Sequence, residues 1–332
     1  MSTMDSFLRQ QYDACRAALS AERCLSGEMP HGEWQAALRG ALRDALCLPA
    51  DCGDLALRHD YQERPGLDRF SYQAEPGLRT PVYRLLPERV RPDTPVILCL
   101  HGHGYGCRDI VGLVEEDTYQ KRFALRVSEQ GMIALAPELA GFGTLRLEED
   151  QRCGDGKRSS CHRLAMNLLA CGRSLLGVRV NQAMRLIDAA QALYPGHPLG
   201  MMGISGGGTV TALTMALDAR PAACVISGYG NLWRDSILAM RHCVDNYWPG
   251  MLRQMELPDL LAAIAPRPML WETGSRDPIY PQAAALEAAE FVRAMYKKLG
   301  APTAFEVDAF EGVHEISGRR AYAFLLEHCK EA

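Results

Sequence analysis

Apolar positions along this chain recur with two alternating periods. After about residue 90, compact runs of four or five apolar residues alternate with stretches in which an apolar residue returns every third or fourth position. Runs of the first kind read as buried strands, and stretches of the second kind as helices packed on them. Strands are predicted at Val96–Leu100, Met132–Ala136, Leu199–Gly203, Ala223–Ile226, Met269–Glu272 and Ala304–Val307. Helices are predicted at 120–130, 175–193, 208–217, 283–299 and 319–329. Alternation at this spacing argues for an α/β architecture, a mostly parallel central sheet covered by helices on both faces. Ahead of it, residues 60–86 carry short alternating runs broken by Pro65-Gly66 and Pro76-Gly77, as in antiparallel strands that open a sheet. The first fifty residues are helical in pattern, with Trp34, Leu38, Leu42 and Leu46 spaced every four positions and Pro49 as a stop. The domain reading is therefore a helical extension over 1–55 and an α/β domain over 56–332. Two long stretches at about 141–174 and 231–258 interrupt the alternation and are read as insertions over a site.

Composition narrows the classes of partner. With 48% hydrophobic and 23% charged residues among 332, the chain is of ordinary globular make-up. A net charge of −4 with no long run of like charge gives no attraction for nucleic acid or for an anionic membrane. No apolar stretch reaches membrane-spanning length, and Met1 to Ser6 lacks a basic segment followed by an apolar one, so a cytoplasmic location is the expectation. The 12 cysteines are spread over a long chain without a C-x-x-C pair, and Cys99 and Cys224 fall in predicted strands. They read as reduced, mostly buried thiols.

The chemistry enters at Gly203-Ile204-Ser205-Gly206-Gly207, which ends a predicted strand and opens a predicted helix. A serine on a tight strand-to-helix turn is presented outward above a parallel sheet, and small flanking residues are a steric requirement of that turn. A serine hydroxyl needs a base to take its proton and a carboxylate to orient the base. Asp277, in Gly274-Ser275-Arg276-Asp277-Pro278, and His314, in Gly312-Val313-His314-Glu315, each follow a predicted strand, in the chain order serine, acid, histidine. The oxyanion of the tetrahedral intermediate needs two backbone donors. Gly206 is expected to supply one, and His103, in His101-Gly102-His103-Gly104 after the strand ending at Leu100, the other.

Over nearly its whole length after about residue 55 the chain resembles the α/β-hydrolase superfamily. The strand followed by HGHG, Pro137-Glu138 with Gly141-Phe142-Gly143, GISGG, GSRDP and GVHE are similar to the dienelactone hydrolase and acetyl xylan esterase branch. The resemblance implies an α/β-hydrolase fold, a triad of Ser205, Asp277 and His314, an oxyanion hole of His103 and Gly206, acyl substrates, and no cofactor. Dienelactone hydrolases proper use a cysteine nucleophile. The serine here moves the expectation toward a small or medium carboxylic ester, an acetyl or short-acyl group, cleaved through an acyl-enzyme.

Alternatives stay open at the level of sequence. The same triad serves lactone, thioester, amide or carbon–carbon cleavage, and a non-catalytic ligand-binding protein on this scaffold is the remaining rival. Glu138 also follows a strand and competes with Asp277 for the acid role; pairing with an arginine such as Arg146 is its structural reading. Trp233, His242, Tyr247 and Trp248 in the second insertion are candidate substrate contacts. No metal site is expected: His101-x-His103 continues into Tyr105-Gly106 rather than a zinc motif, and the spacings of Cys153, Cys161 and His162 match no familiar site. The amphipathic amino-terminal helices offer an apolar surface that a second copy of the chain could cover.

Overall fold

The computed structural model describes residues 3–16 and 21–329. Nine strands form one sheet in the order β1-β2-β3-β5-β4-β6-β7-β8-β9. These are β1 (Arg58–Arg64), β2 (Leu67–Glu75), β3 (Leu78–Leu85), β4 (Val96–Leu100), β5 (Ile133–Pro137), β6 (Leu199–Ile204), β7 (Ala223–Ser227), β8 (Met269–Gly274) and β9 (Phe305–Phe310). The first three pair antiparallel, and β3 pairs antiparallel with β5. Every pairing from β5 across to β9 is parallel.

The fully buried strands show why their sequences read as continuous apolar runs. In β4, Val96, Leu98 and Leu100 enter the core on one face of the sheet, while Ile97 and Cys99 enter the core on the other. One face is covered by helices Leu175–Leu193 and Gly206–Leu217, the other by Phe123–Glu129 and Ala321–His328. All 12 cysteines are free, and Cys99 and Cys224 are fully buried in β4 and β7.

The amino-terminal stripe turns inward. Trp34, Leu38, Leu42 and Leu46 are buried in the larger core, Gln35 donates to the Ala263 carbonyl at 2.6 Å, and Arg39 donates to that of Ala216 at 2.8 Å. Met4, Phe7 and Leu8 of the first helix remain exposed. The first insertion folds into short helices at Glu148–Arg152 and Cys161–Ala170; the second is mostly irregular, with single turns at Trp233–Asp235 and Val244–Asn246 and a short helix at Met251–Gln254.

The order of strands positions the site. From β4 the sheet proceeds to β5 on one side, and from β6 it proceeds to β7, β8 and β9 on the other. The loops that leave β4 and β6 therefore diverge, opening a crevice at the carboxyl ends of these strands.

Candidate active site

Ser205 sits at the end of β6 and at the start of helix Gly206–Leu217, with φ 56° and ψ −123°. A side chain other than glycine at positive φ is strained and persists only where its surroundings fix it. Here the Ser205 amide donates to the Ser227 carbonyl at 3.0 Å, and its own carbonyl accepts from Thr209 at 2.9 Å. The flanking glycines are steric necessities: a Cβ at Gly203 would lie 2.4 Å from the Gly207 carbonyl oxygen, and one at Gly207 would lie 1.9 Å from that of Leu100.

Asp277 follows β8 and His314 follows β9. The structure brings them together, with Asp277 Oδ2 2.7 Å from His314 Nδ1. The other carboxylate oxygen, Oδ1, accepts the amides of Ile279 at 2.8 Å and Tyr280 at 2.9 Å, which fixes the carboxylate plane. Tyr280 stacks on the His314 ring at 5.6 Å between centroids, and Tyr119 lies 5.4 Å away on a tilted plane. His314 Nε2 is buried and has no hydrogen-bond partner among the described residues. Ser205 and His314 line one cavity of about 330 Å³, together with His103, Tyr119, Gly206, His242, Cys243, Asn246, Ile279 and Tyr280. A larger open groove of about 970 Å³ lies beside Pro95 and Ser128, at the opposite ends of the strands.

The loop after β4 is pinned next to the serine. The Gly102 amide donates to Gln120 Oε1 at 2.7 Å, and the Tyr119 hydroxyl donates to the His103 carbonyl at 2.8 Å. The His103 ring packs beside Gly206, where a Cβ would stand 3.5 Å from Nδ1. Gly206 is the first residue of its helix, so its amide has no intrahelical partner, and the positive end of the helix faces the cavity.

A buried charge network lies behind His103. Its Nε2 is 3.1 Å from Asp245 Oδ2, and the fully buried Arg179 donates to the same oxygen at 2.5 Å and to Cys161 Sγ at 3.0 Å. Arg179 is held in place by the Ala140 carbonyl, to which it donates twice. Burial works against a charge on His103, yet the Asp245 carboxylate outweighs it and lifts the imidazole to about 9. Burial likewise opposes the Asp245 charge, and Arg179 with His103 holds that carboxyl well below its usual range. The Cys161 thiol is pulled down, first by its hydrogen bond with Cys243 and then, against burial, by Arg179.

Several expected contacts fall elsewhere. His242 does line the cavity, but Trp233, Tyr247 and Trp248 do not. Trp233 is buried and packs edge-on against Trp248 at 5.6 Å, so the two indoles form the core of the second insertion. The Tyr247 hydroxyl donates to the Ile237 carbonyl at 2.8 Å, and Tyr247 and Trp248 border a separate groove with Ala165, Leu169 and Arg173. Glu138 pairs neither with Arg146 nor with His314. Its carboxylate accepts the Cys107 amide at 3.1 Å and stands 3.3 Å from His101 Nε2, while Arg146 binds the carbonyls of Gly143, Asp150, Asp155 and Arg158. Tyr119, Ile279 and Tyr280 are cavity residues that the sequence pattern did not mark. The only local signal was that two of them closely follow Asp277.

The Abhydrolase family pattern matches residues 15–188, just over half of the sequence. The chain belongs to the Abhydrolase family. The match begins within the helical extension, so the family's reach takes in most of the segment that the sequence reading set apart. This abhydrolase is also similar to a candidate hydrolase, YtaP, of Bacillus subtilis (strain 168), with 25% identity over 240 residues, 69% of this chain and 76% of that one. Among solved structures, a candidate acetyl xylan esterase from Bacteroides fragilis NCTC 9343 superposes with a TM-score of 0.72 at 18% identity, covering 91% of this chain and 83% of the other. A glucuronoyl esterase from Solibacter usitatus superposes with a TM-score of 0.62 at 13% identity, covering 88% and 90%. At these identities the structural likeness is one of fold. No helix among the described residues is long and apolar enough to cross a membrane.

Proposed function

We propose that this abhydrolase is a serine carboxylic ester hydrolase acting on small or short-acyl esters. The observation that carries the reading is that Asp277 holds His314 Nδ1 at 2.7 Å and leaves Nε2 without a partner among the described residues, while the His314 ring and Ser205 line the same cavity. In the proposed reaction His314 Nε2 takes the Ser205 proton as Oγ attacks the acyl carbon, and the oxyanion is met by the amides of Gly206 and His103. The imidazolium, its tautomer fixed by Asp277, returns the proton to the leaving alcohol. An acyl-Ser205 remains, which water resolves by the same proton route.

A cavity of about 330 Å³ is at the small end for a ligand site, which supports a short acyl group over a long chain. The names borne by the structural neighbours, acetyl xylan esterase and glucuronoyl esterase, support an ester as the bond. The reading is tested with a series of p-nitrophenyl esters from acetate to dodecanoate. kcat/KM should be highest at two to four acyl carbons and fall steeply beyond; a maximum at long chains, or no turnover of any ester, would remove it.

A further inference from the structure

We propose that His103, Cys161, Cys243 and Asp245 form a binding site for a soft divalent metal ion of the zinc class, which fastens both insertions to the loop after β4. The site is independent of the ester reading. One donor atom from each of the four residues lies within 4.8 Å of all the others. Metal–ligand bonds of about 2.0–2.3 Å in a tetrahedral zinc site set donors roughly 3.3–3.8 Å apart. Here His103 Nε2 is 3.1 Å from Asp245 Oδ2 and 3.9 Å from Cys161 Sγ, so the edges measured already approach a tetrahedron.

The donor chemistry selects the ion. Two thiols with an imidazole and a carboxylate suit zinc and its neighbours, whereas magnesium and calcium require oxygen. Charge also fits. Two thiolates and one carboxylate carry three negative charges, and a divalent ion with the buried Arg179 guanidinium carries three positive ones, so the loaded cluster is neutral where Cys161 and Asp245 are buried and His103 and Cys243 partly so. Arg179, which donates to Asp245 and to Cys161, then serves as the outer partner that orients two ligands.

The ligands come from three separate segments: the loop after β4, the start of helix Cys161–Ala170 in the first insertion, and the turn around Val244–Asn246 in the second. Four protein donors close the coordination sphere, which marks a structural ion rather than one that activates water. Its effect is to order the cavity wall formed by His103 and Cys243.

The test uses the full-length protein, purified under reducing conditions, stripped with a chelator and titrated with cobalt(II). The expected result is saturation at one equivalent, with a thiolate-to-cobalt charge-transfer band and intense tetrahedral d–d bands that zinc displaces. The double variant Cys161→Ser, Cys243→Ser should lose the charge-transfer band, and its affinity should fall by at least about 100-fold. Asp245→Asn should keep the band while binding roughly 10- to 100-fold more weakly, a check that does not depend on the folding of the double variant. Absence of the band in the native protein, or its survival in the double variant, would overturn the proposal. So would peptide mapping that finds Cys161 and Cys243 joined as a disulfide in the freshly purified protein.

Discussion

Asp277→Asn separates the proposed triad from every purely structural account of these residues. In the native protein Oδ1 is occupied by the amides of Ile279 at 2.8 Å and Tyr280 at 2.9 Å, both donors. An asparagine must therefore keep its carbonyl oxygen at that position, because its NH2 would otherwise face two N–H groups. The NH2 is thus forced onto the side of His314 Nδ1, 2.7 Å away, where it can only donate. Nδ1 becomes an acceptor, the ring proton moves to Nε2, and the imidazole that faces the Ser205 cavity has no lone pair with which to take a proton. In a serine-protease triad the wrong tautomer costs about 10⁴ in kcat, about 5.5 kcal/mol of barrier. Asp277 is not among the residues that line the cavity, so KM should change little. The assay is steady-state hydrolysis of p-nitrophenyl acetate by native and variant protein, with circular dichroism and thermal melts to establish that the variant is folded. A folded variant that retains kcat within about tenfold of native would refute the assignment of Asp277 and, with it, the role of His314.

Three further outcomes follow from the same geometry. Gly228 has φ +51°, and a Cβ there would lie 2.8 Å from His314 Cε1; Gly228→Ala should displace the ring by a sizeable fraction of an ångström and lower kcat by about 100-fold, and a native rate in the folded variant would contradict the placement. Glu138→Leu should behave in the opposite way: the loss of the buried acceptor for the Cys107 amide destabilises the fold by about 1–3 kcal/mol in denaturant melts, while kcat stays within a few-fold of native. Burial raises the Glu272 carboxyl to about 7 from 4.5, against its hydrogen bonds from Ser227 and Gly318. The folded state thus holds a proton that the unfolded state releases, and the stabilisation is present in full below about pH 4.5 and lost as pH rises through about 7, on the order of 3 kcal/mol. Glu272→Gln, which keeps a carbonyl oxygen to accept the Gly318 amide but cannot titrate, should flatten that part of the stability–pH curve, and an unchanged slope would count against it.

The architecture was legible in the sequence because buried parallel strands write themselves as short apolar runs. Helix Leu175–Leu193 was read to the residue, and β7 and β8 were read with ends one or two residues short. The helix expected over 120–130 begins only at Phe123, because Lys121 and Arg122 take positive φ and Gln120 turns inward to bind Gly102 and Asp109. That irregular turn is what delivers Tyr119 to the cavity, so the same feature that defeats a periodicity argument builds part of the site. Ser205, Asp277 and His314 were visible because each is tied to a strand end. The aromatic residues of the second insertion were not sorted correctly, since aromatic density does not say which way a ring faces: Trp233 and Trp248 pack on one another. The His103, Cys161, Cys243 and Asp245 cluster left almost no trace in sequence, because its members come from three distant segments with no shared spacing. Glu138 was matched with a cation, whereas the fold gave it the Cys107 amide and a buried histidine.

The measurement that bears most directly on the central claim is covalent capture. Native protein mixed with p-nitrophenyl acetate and quenched in acid within one turnover should carry a single added acetyl group, mapped by peptide mass spectrometry to Ser205, and Ser205→Ala should carry none and release no p-nitrophenol above background. An acetyl group on any other residue, or sustained turnover by folded Ser205→Ala, would contradict the account.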